Sequence, residues 1–462
     1  MIEKNNSKFT PTTAQAFLLV GAIVSAISFS MIKLETVPHI PLIVGILILI
    51  SFGWVNKVSF KDLQDGMTSG ASSGLGAIFL FFFIGMLISA FLLSGTIPTI
   101  MHVGLLMADW PFYFSVVFLV TALIGMSIGS SLTTAATLGV AFIGISTSLD
   151  LSLPITAGAI VSGAFFGDKM SPLSDTTNLS STVVEVDLFE HIKNMAWTTV
   201  PAFLLSIIGF AILSPGLDSS LSIEAIVSLR SNLMGTGLVH WYSLLPLVVL
   251  LVLSVKKVPA LPALAITLVV SIGLSYFHTI TSLEDVSSIL FGGYESSTGI
   301  EEIDSLLTRG GINSMMFTVS LVILALSLGG LLFKLGIIQT ILGTMQRGLK
   351  KSSTALTSAA LSAIGINAMV GEQYLSILLT GESFKRPIDE LNLKRKNLSR
   401  VLEDAGTVIN PLVPWGVCGV FLTSVLGVQT LDYLPFAFFC IVSPLLTIIY
   451  SFTGWTISYN EK

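Results

Sequence analysis

The chain has 462 residues, of which 53% are hydrophobic and 11% are charged, and its mean hydropathy is +0.88. A soluble domain carries about a quarter charged residues, so this composition excludes a soluble globular protein and predicts an integral membrane protein. The formal net charge of −5 excludes nothing by itself, because the distribution of Lys and Arg over the loops orients a membrane protein.

The cysteine, histidine and glycine patterns indicate no cofactor. Cys418 and Cys440 lie in apolar C-terminal segments and predict no disulfide framework. The five histidines show no metal-ligand spacing, and neither a Walker loop nor a Rossmann glycine pattern occurs. We therefore expect no cofactor, no ATP-driven transport and no nucleic-acid partner. The lipid bilayer is the predicted environment.

Apolar runs of about 20 residues, long enough to cross a bilayer, divide the chain into two halves. The first half has predicted spans at Ala14–Ile32, Pro38–Val55 and Leu75–Ser94, an interrupted stretch at Pro111–Thr147, a broken span at Leu153–Val186 and a span at Trp197–Leu213. The second has His240–Ser254, Pro259–Phe277 and Met315–Phe333, an interrupted stretch at Ser353–Thr380, a broken span at Leu398–Leu422 and a span at Leu434–Gly454. These halves predict membrane repeats at 14–214 and 240–455, joined by a polar linker at 215–239.

Both halves repeat one order of elements: three spans, an interrupted segment, a broken span and a last span. Gly125 opens the sequence GMSIGSS 47 positions before Pro172, and Gly365 opens GINAMVG 46 positions before Pro411. This agreement in spacing argues against a chance likeness between two apolar halves. If each interrupted segment returns to its own side, each half makes an odd number of crossings, which gives the inverted topology of many secondary transporters. The predicted fold is an all-α integral membrane protein with about ten transmembrane helices in two inverted repeats, each with a re-entrant hairpin and a broken helix.

Lys and Arg concentrate on the predicted inner loops. These loops hold Lys4, Lys8, Lys57, Lys61, Lys193, Lys256, Lys257, Lys334, Arg347, Lys350, Lys351, Lys385, Arg386, Lys394, Arg395, Lys396, Arg400 and Lys462. The predicted outer loops keep Lys33, Arg230 and Arg309. By the positive-inside rule, we predict a multi-pass protein of the bacterial cell membrane with both termini in the cytoplasm.

The first broken span places polar groups at membrane depth. Pro172 must interrupt the helix, and Asp168 and Asp175 lie on either side of it. Ionisable groups at such a break mark an ion or substrate pathway, and a hard cation such as Na⁺ needs several oxygen ligands. We expect Asp175, Ser171 and Asn178 to bind Na⁺, with Asp168, Ser174 and Thr176 as further ion or substrate ligands. The alternative is that these groups cap two half-helices, although caps do not need two carboxylates inside a membrane.

Lys169 is the one basic residue placed inside the membrane by this reading of the sequence. We predict a coupling role, in which it neutralises a carboxylate, orients an anionic substrate or takes part in proton release. The alternative is that its long side chain reaches the interface.

The second broken span contains Pro411 and Pro414, which make a second break. Thr407 and Asn410 offer oxygen ligands there, and Asp404 and Trp415 are predicted coupling or gating residues. Glu403 is a weaker candidate, because both Glu403 and Asp404 have the alternative of facing the cytoplasmic interface beside Arg400.

The two interrupted segments offer further ligands. The first has hydroxyl groups, with Ser127 and Ser130 as predicted ligands, and brings no charge. The second has Asn367, Glu372 and Gln373, of which Glu372 is the preferred carboxylate of the second half.

Two motifs carry a family resemblance. The sequences GDKMSPLSDTTN at 167–178 and EDAGTVINPLVPW at 403–415 resemble those of the NhaC family of bacterial sodium/proton antiporters. The resemblance implies membership of a broader ion-transporter superfamily, in which two re-entrant hairpins and two broken helices meet at one site. It also implies hairpin tips near Ser127–Ser131 and Asn367–Gln373. Some relatives exchange proton-malate for sodium-lactate, and no residue separates these branches.

The leading hypothesis is a secondary antiporter that exchanges cytoplasmic Na⁺ for external H⁺, and not an enzyme. The alternative is an organic-anion antiporter for lactate or malate, for which Lys169 and the half-helix N-termini are the candidate cradle. An intramembrane aspartyl protease is remote, because Phe165 replaces the first glycine of its Gly-x-Gly-Asp signature. A channel is less suited than an antiporter to titratable broken helices. The sequence leaves a homodimer open.

Overall fold

The structure is a computed structural model that describes residues 9–34, 36–106, 112–214, 223–277 and 282–460. Some sequence predictions lie outside these ranges, namely the start of the first interrupted stretch at Pro111, the linker residues 215–222, and Lys4, Lys8 and Lys462 near the termini. Within the described ranges all regular secondary-structure elements are helices, and β-pairing is limited to two isolated bridges.

The helices of the first half follow the predicted order closely. They are Thr13–Lys33, His39–Val55, Phe60–Ser73, Leu75–Leu93, Thr96–Leu105, Tyr113–Ile128, Ser131–Ser148, Leu153–Met170, Asp175–Val183 and Leu188–Leu213. The first three predicted spans are confirmed as helices to within one residue. The last helix begins nine residues earlier than predicted, because the side chain of Asp187 accepts the Phe189 and Glu190 amides and caps it.

The second half contains long helices at the predicted spans and several short ones. They are Ile223–Gly235, Trp241–Val255, Ala260–Ser275, Leu283–Gly292, Glu301–Leu307, Gly311–Lys334, Ile337–Met345, Ser352–Val370, Gln373–Glu390, Lys396–Leu412, Val417–Leu426, Thr430–Phe436 and Phe438–Thr453. Six helices in the described part of the chain are long and apolar enough to cross a membrane, or eight if two bent pairs each count as one span.

Several short helices were predicted as loops or linker. Phe60–Ser73 and Leu283–Gly292 are capped by Ser59 and Ser282, each of which accepts the amide three residues on. These segments are too short or too polar to read as spans, and such helices gain their stability from tertiary packing rather than from an apolar run. Part of the predicted linker likewise forms the helix Ile223–Gly235.

Small residues bring the helices around the first break into close contact. A Cβ atom at Gly167 would lie 2.5 Å from the Met126 nitrogen, and one at Gly163 would lie 2.6 Å from the Phe118 oxygen. The helix Leu153–Met170 therefore packs with its backbone against Tyr113–Ile128, as small residues permit in membrane proteins. This packing fixes the end of Leu153–Met170, where Asp168 and Lys169 lie.

Candidate functional site

A cavity of about 370 Å³ lies where two helical hairpins meet the first break. We call residues 113–148 the first hairpin and residues 352–390 the second hairpin. The polar and charged residues that line this cavity are Ser130, Ser131, Thr133, Asp168, Asp175, Thr176, Asn178, Ser254, Lys257, Gln373 and Tyr374. The cavity thus joins both hairpin tips to the break, and Lys257 adds a base from a loop between two other helices.

Asp168 forms the buried end of the cavity. Only 5% of its surface is exposed, and one carboxylate oxygen accepts the Ser131 hydroxyl at 2.7 Å. Since Ser131 begins the second arm of the first hairpin, this bond fastens the hairpin tip to the first broken helix. The Ser174 hydroxyl and the Ser131 backbone also act on this carboxylate as hydrogen-bond donors, and its two oxygens, with about four acceptor positions, keep capacity for a cation.

Asp175 is the more accessible carboxylate. It starts the helix Asp175–Val183, and the Ser174 side chain caps that helix by accepting the Thr177 amide. The residue is exposed and lines the cavity, and no donor to its side chain is found within the described ranges. Its carboxylate is therefore available to an ion or a proton.

The remaining predicted ligands of the first half divide into two groups. Thr176, Asn178 and Ser130 line the cavity. The amide nitrogen of Asn178 donates to the Pro172 and Ser174 carbonyls, which leaves its oxygen as an acceptor. By contrast, Ser171 and Ser174 are fully buried and do not line the cavity, because their hydroxyl oxygens accept backbone amides inside the break.

Ser127 also fails to reach the cavity. It is exposed one turn before the tip, and its hydroxyl donates to the Leu123 carbonyl of its own helix. The hydroxyls of Ser171 and Ser174 thus bind backbone within the break, and the predicted ligands of the first half that line the cavity are Asp168, Asp175, Thr176, Asn178 and Ser130.

The tip of the first hairpin depends on Gly129. This residue ends the helix Tyr113–Ile128 with a φ of +70°, and an added Cβ would lie 2.8 Å from the Leu173 Cβ. We expect Gly129→Ala to cost more stability than Gly427→Ala, which has the same φ but nothing within 4 Å. Both substitutions carry the left-handed cost of about 1–2 kcal/mol, and only Gly129→Ala adds the clash. Thermal unfolding of the purified proteins measures the two losses of stability. Equal losses would show that Gly129 is not closely packed against Leu173 in the first break.

The second hairpin is fastened to the second break in a similar way. Gly371 ends the helix Ser352–Val370 with a φ of +73°, and its carbonyl accepts the Val417 amide at 2.7 Å. The Trp415 indole donates to the Ala368 carbonyl at 2.8 Å. Trp415, a predicted gating residue, thus pins the first arm of this hairpin to the segment that follows Pro411.

Two asparagines connect the same elements from inside. The Asn367 amide nitrogen donates to the Gly406 carbonyl at 2.7 Å, and its oxygen accepts the Asn410 side chain at 2.8 Å. The Asn410 oxygen accepts the Cys418 amide at 2.9 Å. Both asparagines are fully buried and lie off the cavity lining, so they hold the second break in place.

The other predicted ligands of the second half also take separate positions. Gln373 lines the cavity, and its side-chain oxygen is buried with no partner in the described residues. Glu372 is buried and caps the second arm by accepting the Leu375 amide at 2.7 Å. Thr407 is fully buried away from the cavity. The second half therefore brings the tip of its hairpin to the cavity, while its break remains apart.

A buried ion pair joins the two broken helices. Lys169 and Asp404 are both fully buried and form a salt bridge. Ser443 lies 2.9 Å from the Lys169 nitrogen and donates to one Asp404 oxygen at 2.7 Å, while Thr447 donates to the other oxygen. This satisfies the charge of each partner within the protein, as buried ions require.

The ion pair decides between two readings of the sequence. The interface alternatives for Lys169, Glu403 and Asp404 are wrong, since all three side chains are 0% exposed. Arg400 does not mark an interface either, because it is 2% exposed and donates to Thr456. The interior can hold these charges because the partners come from separate broken helices that meet there.

Several residues of the site are absent from the predicted ligands, although Ser131 belongs to the predicted first hairpin tip. Ser131 binds Asp168, and Tyr374 lines the cavity. Ser443 and Thr447 bind Asp404 from the last helix. Their spacing of four puts two hydroxyls on one face of an apolar helix, which was a usable signal. Nothing local in the sequence marks Tyr374.

Comparison with known proteins places the chain among transporters. Residues 163–455 match the Na⁺/H⁺ antiporter family. The Na(+)/H(+) antiporter NhaC of Alkalihalophilus pseudofirmus is 41% identical over 457 residues, which cover 98% of each chain. The arginine/ornithine antiporter ArcD of Halobacterium salinarum is 35% identical and covers 98% of this chain and 94% of its own. The malate-2H(+)/Na(+)-lactate antiporter of Bacillus subtilis is 31% identical and covers 98% of this chain and 97% of its own.

Proposed function

The chain belongs to the Na⁺/H⁺ antiporter family, and on that premise we propose that it exchanges cytoplasmic Na⁺ for external H⁺ across the bacterial cell membrane. The sequence resemblance to NhaC antiporters is confirmed over nearly the whole chain. Because relatives at lower identity are named for other cargoes, the choice of Na⁺ and H⁺ rests on the identity to NhaC and on the chemistry of the cavity.

The observation that carries the proposal is the pair of carboxylates in the cavity. Asp168 is buried and partly satisfied by Ser131, whereas Asp175 has no donor among the described residues. A carboxylate that binds either Na⁺ or H⁺, but not both together, exchanges one ion for the other. The Asn178 and Gln373 oxygens offer the neutral ligands that a partly dehydrated Na⁺ requires.

The experiment is a flux assay on the purified protein in liposomes. An imposed outward Na⁺ gradient should drive inward H⁺ movement, reported by a pH-sensitive dye inside the vesicles. The same vesicles without Na⁺ should show none. Absence of Na⁺-dependent H⁺ movement at every pH tested would reject the proposal.

An organic-anion antiporter is the second candidate, because one relative carries malate and lactate in its name. The cavity charge disfavours it. The lining has two carboxylates and one base, Lys257, which is exposed, while Lys169 is committed to Asp404. The flux assay can be repeated with lactate, malate, arginine or ornithine added one at a time. Exchange that requires lactate or malate would favour the second candidate.

The family places the chain with transporters rather than enzymes.

We further propose ten membrane crossings in two inverted repeats with bounds at 14–214 and 240–455, in which the two hairpins are re-entrant. Two features support the repeat. Gly95 and Gly336 both have left-handed φ and come directly after long helices, at Leu75–Leu93 and Gly311–Lys334. Gly129 and Gly371 have the same conformation at the two hairpin tips. The two pairs are 241 and 242 positions apart, so the offsets agree to within one residue.

The proposed orientation puts both termini in the cytoplasm and gives a direct labelling prediction. Ser288 and Lys350 are exposed and lie on opposite sides of the proposed membrane. In intact cells, Ser288→Cys should react with an impermeant thiol reagent, and Lys350→Cys should react after lysis. The native Cys418 and Cys440 are buried and should give little background. Labelling of Lys350→Cys from outside would overturn the orientation.

A further inference from the structure

Glu403 is a buried carboxylic acid that the proposed exchange does not use. Its side chain is 0% exposed, and one oxygen accepts the Ser180 hydroxyl at 2.9 Å. The other oxygen is buried and has no hydrogen-bond partner in the described part of the chain. An ionised carboxylate has about four acceptor positions, so a single donor leaves most of its charge unsatisfied.

The neighbouring positive charge does not supply what Glu403 lacks. Lys169 lies near enough to act on it electrostatically, but its ammonium group donates to Asp404 and Ser443. Asp168 is also near and disfavours a second negative charge. Because an unpaired charge in the interior is costly, the neutral, protonated form of Glu403 suits this structure.

Thr407 gives the same acid a way to ionise. It lies four residues along the same helical segment, and its buried hydroxyl is near enough to the Glu403 carboxyl to act on it as a hydrogen-bond donor. A hydroxyl can donate to a carboxylate or accept from a carboxylic acid. Rotation of the Thr407 hydroxyl therefore accommodates both protonation states of Glu403.

Ser180 connects Glu403 to the cavity. Ser180 and Asp175 belong to the same nine-residue helix, with Asp175 at its cavity end. A change in the bond between Ser180 and Glu403 therefore acts on the helix that carries the accessible carboxylate.

The helices packed against Glu403 carry other titratable groups. The helix that carries Glu403 also carries Lys396, Arg400 and Asp404. The packed helix Ser352–Val370 has no titratable residue, and Asp175–Val183 has Asp175. The last helix has Cys440 and Tyr450. The second arm of the second hairpin brings Tyr374 near its tip and Glu382, Lys385, Arg386, Asp389 and Glu390 towards its far end, and His191 lies beyond Ser399.

We propose that Glu403 is a second proton-binding residue, separate from the cavity, whose proton is released to cytoplasmic water when Na⁺ occupies the cavity. The inference rests on the proposed Na⁺/H⁺ exchange and raises the number of protons exchanged per Na⁺. The O–H bond of Glu403 breaks, the carboxylate retains the electron pair, and Thr407 then donates to it. Water is the base that accepts the proton.

The test counts protons released per Na⁺ bound by the purified protein in weakly buffered solution. Glu403→Gln keeps an oxygen for Ser180 but has no exchangeable acid. We expect it to bind Na⁺ and to release about one proton fewer per Na⁺ than the wild type. The exposed control Glu382→Gln should release the wild-type number. An unchanged proton count in Glu403→Gln would overturn the inference while leaving the antiport proposal intact, whereas a wild type that releases no protons would reject both.

A second variant decides the matter if Glu403→Gln does not fold. Thr407→Val removes the hydroxyl that favours the ionised form, so its exchange should require a higher pH than that of the wild type. Thr318→Val removes another buried hydroxyl without a partner in the described residues, on the helix Gly311–Lys334, and should leave the pH profile unchanged. A wild-type pH profile in folded Thr407→Val would also overturn the inference.

Discussion

Asp175→Asn is expected to abolish Na⁺-dependent H⁺ movement while the protein still folds and reaches the membrane. The substitution keeps the shape of the side chain and one oxygen, but it removes the charge and the exchangeable proton. Its effect on stability should be small, because an acid in the first turn of a helix contributes about 0.3–1 kcal/mol. The flux should therefore fall to that of empty liposomes although the amount of folded protein is little changed.

The comparison that gives this result its meaning uses two further variants. Asp168→Asn should also impair exchange, because Asp168 is the other cavity carboxylate and receives Ser131. Asp65→Asn changes an exposed acid on the helix Phe60–Ser73 and should remain active. If purified Asp175→Asn exchanges Na⁺ for H⁺ at the wild-type rate and apparent affinity, Asp175 is not the coupling residue.

Lys169→Met should produce the largest loss of stability. The substitution leaves Asp404 fully buried with its hydroxyl donors but without a compensating charge. Breaking a buried pair by removal of one partner costs about 3–5 kcal/mol. Denaturant or thermal unfolding in detergent measures this loss relative to the wild type.

The double variant Lys169→Met/Asp404→Asn is the matched control. It removes both charges and keeps an oxygen to accept Ser443 or Thr447, so it should recover most of the stability. Recovery of folding without recovery of exchange would agree with the predicted coupling role of the pair. A Lys169→Met protein as stable as the wild type would show that the ion pair does not hold the two broken helices together.

The long helices could be predicted from the sequence because each one is a single apolar run. Leu75–Leu93 is an example, since its composition fixes both its length and its type. The family resemblance implied the positions of the hairpin tips, and glycine at 129 and 371 supplies the left-handed backbone that the structure has there. Phe60–Ser73 was not predictable in this way. A short amphipathic helix is stabilised by packing against another part of the protein, and no local sequence pattern identifies that partner.

The parts of the site whose residues are close together in the sequence could be predicted. Contacts between residues far apart in the sequence could not. Pro172 with Asp168 and Asp175 marks the first break within eight residues, and the cavity lies there. The partner of Lys169 lies 235 positions away, so no local pattern could identify Asp404. The predicted role of Ser171 and Ser174 as ion ligands stays a prediction, because a hydroxyl that can bind a cation can equally cap a helix.

The most direct test of the central claim is to locate the cation itself. Crystals of the purified protein soaked in Tl⁺, an electron-rich monovalent cation, would reveal the site by anomalous diffraction. We predict a peak in the cavity beside Asp175 and Asp168 that disappears when Na⁺ is added in excess. A peak that Na⁺ displaces from a place elsewhere in the protein, with none in the cavity, would contradict the account.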